Sequence, residues 1–249
     1  MKKEKNIIVL GGGESGTGAA VLAKKKGFNV FLSDKGKIKN KYKRVLKHFE
    51  IDFEEQKHSL QKINSADEII LSPGIPREIK LIDDLIKKGI PIISEIEFAG
   101  RYTNANIIAV TGSNGKTTTT LLIYHILKTS GLNVGLGGNV GVSFAMQVAE
   151  QEFDFFVLEL SSFQLDSMFS FKAHIAILLN ITPDHLDRYN YSFENYAYSK
   201  FRITRNQTKN DVFIYNADDK FICKMIEKQS IKSKLLPVSL KEKNYREGG

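Results

Sequence analysis

Residues Thr111–Thr120 read TGSNGKTTTT, and that decapeptide restricts the chain around it to one local architecture. An apolar run, Ile107-Ile108-Ala109-Val110, feeds a glycine-rich turn, a lysine and four threonines that open the apolar stretch LLIYHIL. Strand, turn and helix in that order aim the N–H groups of a helix start at a point where glycine lets an anion come close to the backbone. Lys116 adds a positive point charge, and the Thr117 hydroxyl can reach a phosphate-bound Mg²⁺. The full phosphate-loop spacing, G-x-x-x-x-G-K-S/T, is not met, because Val110 stands five positions before Gly115. The shorter G-x-x-G-K-T form remains. Against a flexible Gly/Asn turn with a solvated lysine, its placement predicts a cradle for ATP phosphates.

The rest of the chain repeats the same grammar. Short apolar runs (IIVL, NVFL, EIIL, PIIS, IIAV, FFVLEL, IAILLN, VFIYN) alternate with helical patterns, which predicts a parallel α/β architecture rather than a sandwich or bundle. A polar stretch, Arg101–Asn106, follows a predicted helix over Glu95–Gly100 and precedes a fresh strand, so a domain boundary is expected there. Residues 1–104 form the first expected domain and 105–249 the second, each opening with a strand, a glycine turn and a helix. After a short helix (Phe221–Ile226) and a candidate strand, LLPVSL, the second domain has little sequence left to close its sheet. A fragment is expected.

Composition sets limits without choosing a function. At 42% hydrophobic and 26% charged residues, the chain can bury a sizeable core. The basic start MKKEKNIIVLGGG has too few apolar residues for a signal peptide, and no run reaches the roughly 18–20 of a membrane span. A single cysteine, Cys223, excludes an internal disulfide and suits a reducing cytoplasm. The net charge of +8 comes mostly from dispersed lysines without aromatic interleaving, which reads as solvated surface rather than a nucleic-acid face.

A second glycine turn leaves its ligand open. Gly11-Gly12-Gly13-Glu14-Ser15-Gly16 satisfies G-x-G-x-x-G, follows a strand and precedes a helix, with Asp34 at the end of the second strand. That is a dinucleotide fingerprint, yet such a turn accepts any diphosphate, and a UDP-sugar fits as well as NAD. Ser72, in the turn LSPGI at the tip of EIIL, could contact the same ligand.

Polar groups gather at the predicted strand tips of the second half, where open parallel sheets bind ligands. Glu159 sits inside the apolar run FFVLEL, and a carboxylate there is costly to bury unless it is paired or holds a metal. Ser161-Ser162-Phe163-Gln164 follows it. His185, flanked by Asp184 and Asp187, could bind a metal, contact a ligand or orient a neighbour. Lys200, in the helical pattern YAYSKFRI, reads on its own as surface charge.

Taken together, these residues resemble the Mur ligase superfamily, the ATP-dependent amide-forming enzymes of peptidoglycan precursor synthesis. TGSNGKTTT is shared across that superfamily. LELSSFQLD, NITPDHLDRY, GGGESGTGAA, SPGIP and SEIEFAGRY are similar to the branch that adds D-glutamate to UDP-N-acetylmuramoyl-L-alanine. The similarity runs from about residue 6 to at least Asp219.

The resemblance implies a Rossmann-like UDP-binding domain followed by an incomplete central ATPase domain, with the third, amino-acid-binding domain absent. It implies that Gly112, Ser113, Asn114, Gly115, Lys116, Thr117 and Thr118 cradle the ATP phosphates, with Lys116 on the terminal ones. It further implies two Mg²⁺ ions, the first near Thr117 and Glu159, the second at His185 and Lys200. Lys200 matches the family's carbamylated lysine, in which CO₂ turns an amine into an anionic oxygen ligand. Ser15, Gly16, Thr17, Asp34 and Ser72 would hold the UDP moiety, and Asn139, Ser161, Gln164 and His185 the muramoyl-alanine end. Glu14-Ser15-Gly16 departs from the leucine/threonine-rich turn of some relatives, so backbone N–H groups carry the expected contacts there. The implied protein is a monomeric cytoplasmic enzyme acting on small molecules, with neither nucleic acid nor membrane as partner.

The implied reaction is phosphoryl transfer from ATP to the alanine carboxylate, then attack of the D-glutamate amine on the acyl phosphate. Carboxylate meets ATP as anion meets anion, so Lys116 and the two Mg²⁺ ions are expected to neutralise most of the charge. Three other readings remain: a sister Mur or folate-type ligase, which SSFQL argues against; an NAD-dependent oxidoreductase, which leaves TGSNGKTTTT unexplained; and a nucleotide-binding module without catalysis. The 249-residue chain is expected to bind the sugar nucleotide without turning it over.

Overall fold

The computed structural model describes residues 5–75 and 79–241. Pro76, the last residue of the SPGIP turn, and the tail from Glu242 onward lie outside them. By contacts the chain divides into two compact units. The first is Met1–Ala105 with Leu136–Phe153 and Ser167–Phe171; the second is Asn106–Gly135, Asp154–Asp166 and Lys172–Gly249.

In chain order the first unit opens with β1 (Asn6–Leu10), α1 (Glu14–Lys25), β2 (Asn29–Ser33), α2 (Asn40–His48) and β3 (Asp52–Glu54). It continues with α3 (Leu60–Ile63), β4 (Glu68–Leu71), α4 (Lys80–Lys87), β5 (Ile92–Ser94) and α5 (Glu95–Gly100). The apolar runs IIVL, NVFL, EIIL and PIIS fall on β1, β2, β4 and β5, whereas β3, with the sequence DFE, is not among the predicted runs. They pair in parallel in the order β3-β2-β1-β4-β5, so the strand order reverses between β1 and β4. Ile8, Leu10, Ile69 and Leu71 on one sheet face bury against Ile63, Ile82 and Leu85 of the covering helices. The helix expected over Glu95–Gly100 is α5, bound for bound. Ser94 caps it by accepting from Glu97 N at 3.0 Å, the S-x-x-E pattern of a helix start.

Beyond Ala105 come β6 (Asn106–Thr111), α6 (Lys116–Thr129), β7 (Val134–Gly138), α7 (Phe144–Glu150), β8 (Phe155–Glu159) and α8 (Ser162–Asp166). Next are β9 (Ile175–Leu178), a 3₁₀ turn at Leu186–Tyr189, α9 (Phe193–Phe201), β10 (Val212–Asn216), α10 (Lys220–Glu227) and β11 (Lys234–Val238). The sheet order is β11-β10-β9-β6-β8-β7, and β6 pairs in parallel with both β8 and β9. Ile108, Val110, Val157 and Ile177 form its core against Ile123 and Leu127 of α6. The rest of that helix is less buried than its apolar sequence predicts, because Leu121, Leu122 and Ile126 face outward. The candidate strand LLPVSL is β11, which lies along β10; Pro237 is tolerated because the strand is at the sheet edge.

Candidate functional site

In the second unit, β6 ends at Thr111 and the chain turns through Gly112–Gly115 into α6. Gly115 caps the helix at φ +81°, a left-handed conformation that an L side chain rarely adopts. The turn is held by the tip of the neighbouring strand: Ser113 N donates to Asn180 O at 3.0 Å, and Asn114 N donates to Asn180 Oδ1 at 2.8 Å. Ser113 Oγ bonds Thr182 O at 2.9 Å and lies 3.1 Å from the Tyr196 hydroxyl. The Gly112–Gly115 turn is therefore anchored at the carboxyl ends of the paired strands β6 and β9, the side on which open parallel sheets bind ligands.

Two lysines converge on one carbonyl of that loop. Lys116 Nζ donates to Gly112 O at 2.9 Å and to Ser113 O at 2.8 Å, and Lys200 Nζ donates to Gly112 O at 2.8 Å. Lys200 is only 2% exposed, with its Nζ 4.6 Å from the centre of the Tyr196 ring. Burial first, and the Lys116 charge second, push its ammonium down to about 7. The surface role that its own sequence context suggests is thus overturned by α9, which turns Lys200 inward beside the buried Tyr196, Ala197 and Phe201.

Glu159 ends β8 and is 1% exposed, and its Oε2 accepts a 2.7 Å hydrogen bond from Thr117 Oγ1. A hydroxyl and a carboxylate this close are hard oxygen donors of the kind Mg²⁺ takes, so these residues fit the expected ion. Among the described residues, no three His, Cys, Asp or Glu side chains gather as a metal cluster. His185 stands exposed at φ +48°, 3.6 Å from Asp184, with its ring 5.4 Å from that of Phe163. Phe163 also stacks on Tyr189 and lies under the Arg188 guanidinium, 4.3 Å away. Ser161 N and Oγ both donate to Gln164 Oε1 at 2.9 Å, and Gln164 is buried.

The first unit places its glycine turn at the strand reversal between β1 and β4. The three glycines of the G-x-G-x-x-G pattern serve different ends. A Cβ at Gly16 would stand 1.8 Å from Gly11 O, so this glycine seats the helix on the turn. Gly13 is exposed, and a Cβ there would meet nothing within 4 Å, which leaves the open backbone that a diphosphate needs. Asp34 Oδ2 accepts from Gly12 N at 2.5 Å and so braces the glycine turn, while its Oδ1 accepts from Gly36 N at 2.6 Å in the loop that follows β2. Ser72 Oγ donates to Gly11 O at 3.3 Å. Ser15 is half-buried in the first turn of α1, while Thr17 is buried and its hydroxyl has no hydrogen-bond partner. Asn139 is exposed on the loop after β7.

Sequence reasoning missed Asn180, Thr182 and Tyr196, which shape the phosphate loop. Asn180 and Thr182 stand at the N-terminal end of the NITPDHLDRY run, and their position at the end of an apolar strand was the available signal. It also missed the role of Glu95, which accepts from Ser143 Oγ at 2.8 Å and from Ala145 N at 2.7 Å within the first unit.

The model of the Mur ligase middle domain matches residues 110–248, and that of the MurD N-terminal domain matches residues 6–80. The chain is 59% identical to a UDP-N-acetylmuramoylalanine–D-glutamate ligase of Christiangramia forsetii, across 96% of this chain and 54% of the relative. It is also 59% identical to a protein of the same name from Bacteroides fragilis, across 94% of this chain and 53% of the relative. The chain thus spans about half the length of these relatives. Among solved structures, a UDP-N-acetylmuramate:L-alanyl-gamma-D-glutamyl-meso-diaminopimelate ligase from Neisseria meningitides shares the fold. Its TM-score is 0.67 at 22% identity, over 94% of this chain and 78% of the other.

Proposed function

The chain belongs to the Mur ligase family, and on that footing we propose that it forms the sugar-nucleotide and ATP-binding part of a ligase joining D-glutamate to UDP-N-acetylmuramoyl-L-alanine. The observation that carries this reading is the convergence of Lys116 and Lys200 on the Gly112 carbonyl. Lys116 sets a positive charge at the turn before a helix start, where the terminal phosphates of ATP would be received, and that charge together with burial disfavours a second cation at Lys200 beside it.

In this reading Gly112–Thr118 present backbone N–H groups to the phosphates, and Lys116 swings from its loop carbonyls onto the terminal phosphates as charge builds there. Thr117 and Glu159 hold the first Mg²⁺. The charge supplied by that ion would lower the repulsion between ATP and the incoming carboxylate. Ser161, Gln164 and His185 orient the carboxylate that accepts the phosphoryl group, giving an acyl phosphate that the D-glutamate amine then attacks. In the first unit, the turn around Ser15, Gly16 and Thr17, braced by Asp34 and Ser72, receives the UDP end, and Asn139 the muramoyl-alanine end. The reading carries with it a monomeric cytoplasmic enzyme of cell-wall synthesis and cell division, whose first two domains divide the sequence as 1–104 and 105–249, although by contacts Leu136–Phe153 and Ser167–Phe171 belong to the first compact unit.

Lys200 has the chemistry that carbamylation asks for. An amine with a pKa of about 7 is largely neutral just above that pH. Its nitrogen lone pair forms a bond to the carbon of CO₂ and releases one proton, leaving an anionic carbamate whose oxygens, with His185, suit the second Mg²⁺. The test uses the complete enzyme, assayed for D-glutamate-dependent phosphate release. Lys200→Ala is expected to lose activity that bicarbonate or small carboxylates partly restore. Full activity in that variant would remove Lys200 from the site, and no D-glutamate-dependent release from the unaltered enzyme would remove the reading itself.

A further inference from the structure

The SEIEFAGRY run has no part in the reaction proposed above, yet it places a carboxylate where burial is costly. Glu95, the first residue of α5, is 2% exposed. Its Oε1 accepts from Ser143 Oγ at 2.8 Å and from Ala145 N at 2.7 Å. Ser143 in turn caps α7, accepting from Met146 N at 3.2 Å. Room for this junction is made on α1. A Cβ at Gly18 would meet Ser143 Oγ at 2.1 Å and Met146 N at 3.0 Å, so only glycine lets α7 approach there. Gly18, Glu95 and Ser143 thus lock α1, α5 and α7 together inside the first unit.

The locked helix carries a loop. Gln147 of α7 reaches back with Nε2 to Leu136 O at 2.7 Å and Val142 O at 3.1 Å, and its Oε1 accepts from Leu136 N at 3.3 Å. Both ends of the segment Leu136–Val142, which contains Asn139, are therefore fastened to α7. Burial raises the Glu95 carboxyl to about 7, against the pull of its hydrogen bonds to Ala145, Ser143 and Phe144, while the Glu14 charge pushes it further up. A carboxylate held at that cost is a poor way to stabilise a core, since an apolar side chain would do so without it.

We propose that Glu95 is the positioning residue for the segment Leu136–Val142, the end of β7 and the loop after it, holding Asn139 in place for the muramoyl-alanine end of the sugar nucleotide by fixing the start of α7. The ligand half of this rests on the reading given above for Asn139.

Two measurements on the chain as it stands test the two halves separately. The first is amide hydrogen exchange of residues 139–147 in wild type, Glu95→Ala, Glu95→Gln and Ser143→Ala. Glu95→Ala and Ser143→Ala are expected to speed exchange there about tenfold or more, with β1 and α1 unchanged. Glu95→Gln, which keeps an oxygen acceptor, is expected to stay close to wild type and serves if the alanine variant does not fold. The second is affinity for UDP and for UDP-N-acetylmuramoyl-L-alanine. Glu95→Ala should weaken the sugar nucleotide about tenfold and leave UDP within about twofold. Unchanged exchange in Ser143→Ala and Glu95→Ala, acceleration spread over the whole first unit, or equal losses for both ligands would overturn the positioning role. Wild-type chain that binds UDP but gains nothing from the muramoyl-alanine end would sink the Asn139 reading, while exchange would still decide whether Glu95 holds the loop.

Discussion

Thr117 Oγ1 donates a 2.7 Å hydrogen bond to Glu159 Oε2, tying the first turn of α6 to the last residue of β8. The two side chains expected at one Mg²⁺ are thus already in contact, 42 residues apart in the chain. An ion entering between them would find both oxygen donors in place and would displace that hydrogen bond.

Thr117→Val keeps the shape of the side chain and removes the hydroxyl. The buried Glu159 carboxylate then loses a donor, which should lower stability by about 1–3 kcal/mol. Mg²⁺-dependent ATP binding should weaken about tenfold or more, and Thr117→Ser should recover most of it. Titration of ATP with and without Mg²⁺, alongside urea denaturation, reads both effects. Equal Mg²⁺ dependence in Thr117→Val and wild type would take Thr117 away from the ion.

Lys200 makes stability depend on pH in a direction opposite to that of a lysine paired with a carboxylate. Its folded pKa, about 7, lies below the 10.5 of the exposed group, so the unfolded chain binds the extra proton between those values. The resulting penalty is absent above about pH 10.5, grows as pH falls and is complete below about pH 7. Lys200→Met should therefore raise the melting temperature relative to wild type near pH 7, with the gain shrinking steadily toward pH 10. A pH series of thermal melts, run without bicarbonate, measures it. A difference that does not vary with pH would show that Lys200 is not neutral in the folded chain.

His174 supplies an acid-side counterpart. Its Nδ1 accepts from Ile107 N at 3.0 Å, at the start of β6, which requires that nitrogen to be unprotonated. Burial, then the nearby Lys172, lowers its pKa from 6.5, against a smaller opposing pull from Asp211. The unfolded histidine protonates first, so this contribution to stability is lost as pH falls below about 6.5 toward the folded value. His174→Asn keeps an acceptor without a titrating ring and should flatten the melting temperature between pH 7 and pH 5 relative to wild type. An identical acid slope in both proteins would refute the assignment.

The glycines of the first turn can be told apart by alanine. Gly16→Ala sets a methyl group 1.8 Å from the Gly11 carbonyl oxygen, a backbone atom that cannot yield, and should cost at least about 2–3 kcal/mol and abolish UDP binding. Gly13→Ala meets no protein atom within 4 Å and should cost less than about 1 kcal/mol of stability. It should nonetheless weaken UDP binding, since the methyl would occupy the space a diphosphate needs. Calorimetric titration with UDP separates the two. UDP binding to Gly13→Ala as tight as wild type would mean that no ligand approaches that backbone.

Much of this was legible along the chain because its causes are local. The alternation of apolar runs and helical patterns gives the two parallel sheets, and Ser94 three residues before Glu97 marks the start of α5. The glycine turn before α6 is legible for the same reason: its cap, Gly115, takes φ +81°, a conformation that favours glycine. Asp34 was only half legible. Its place at the tip of β2 follows from the pattern, but the Gly12 and Gly36 N–H groups that occupy its oxygens come from folding. The apolar stretch LLIYHIL illustrates the converse, since its period predicts a helix but not which side meets the sheet.

The sequence by itself determined the elements, the order in which strand and helix alternate, and the glycine positions where a backbone can lie against an anion. Those depend on residues within one turn or one strand of each other. Tertiary structure alone decided that Lys200 is buried on a carbonyl 88 residues away, that Thr117 meets Glu159, and that Glu95 receives the start of α7. The physical reason is that a side chain's charge state and its partners depend on what displaces water around it. In a parallel sheet, those neighbours are delivered by crossovers that bring distant strand ends side by side. The decapeptide marks a phosphate loop by its own residues; only the fold brings a second lysine and a buried carboxylate to it.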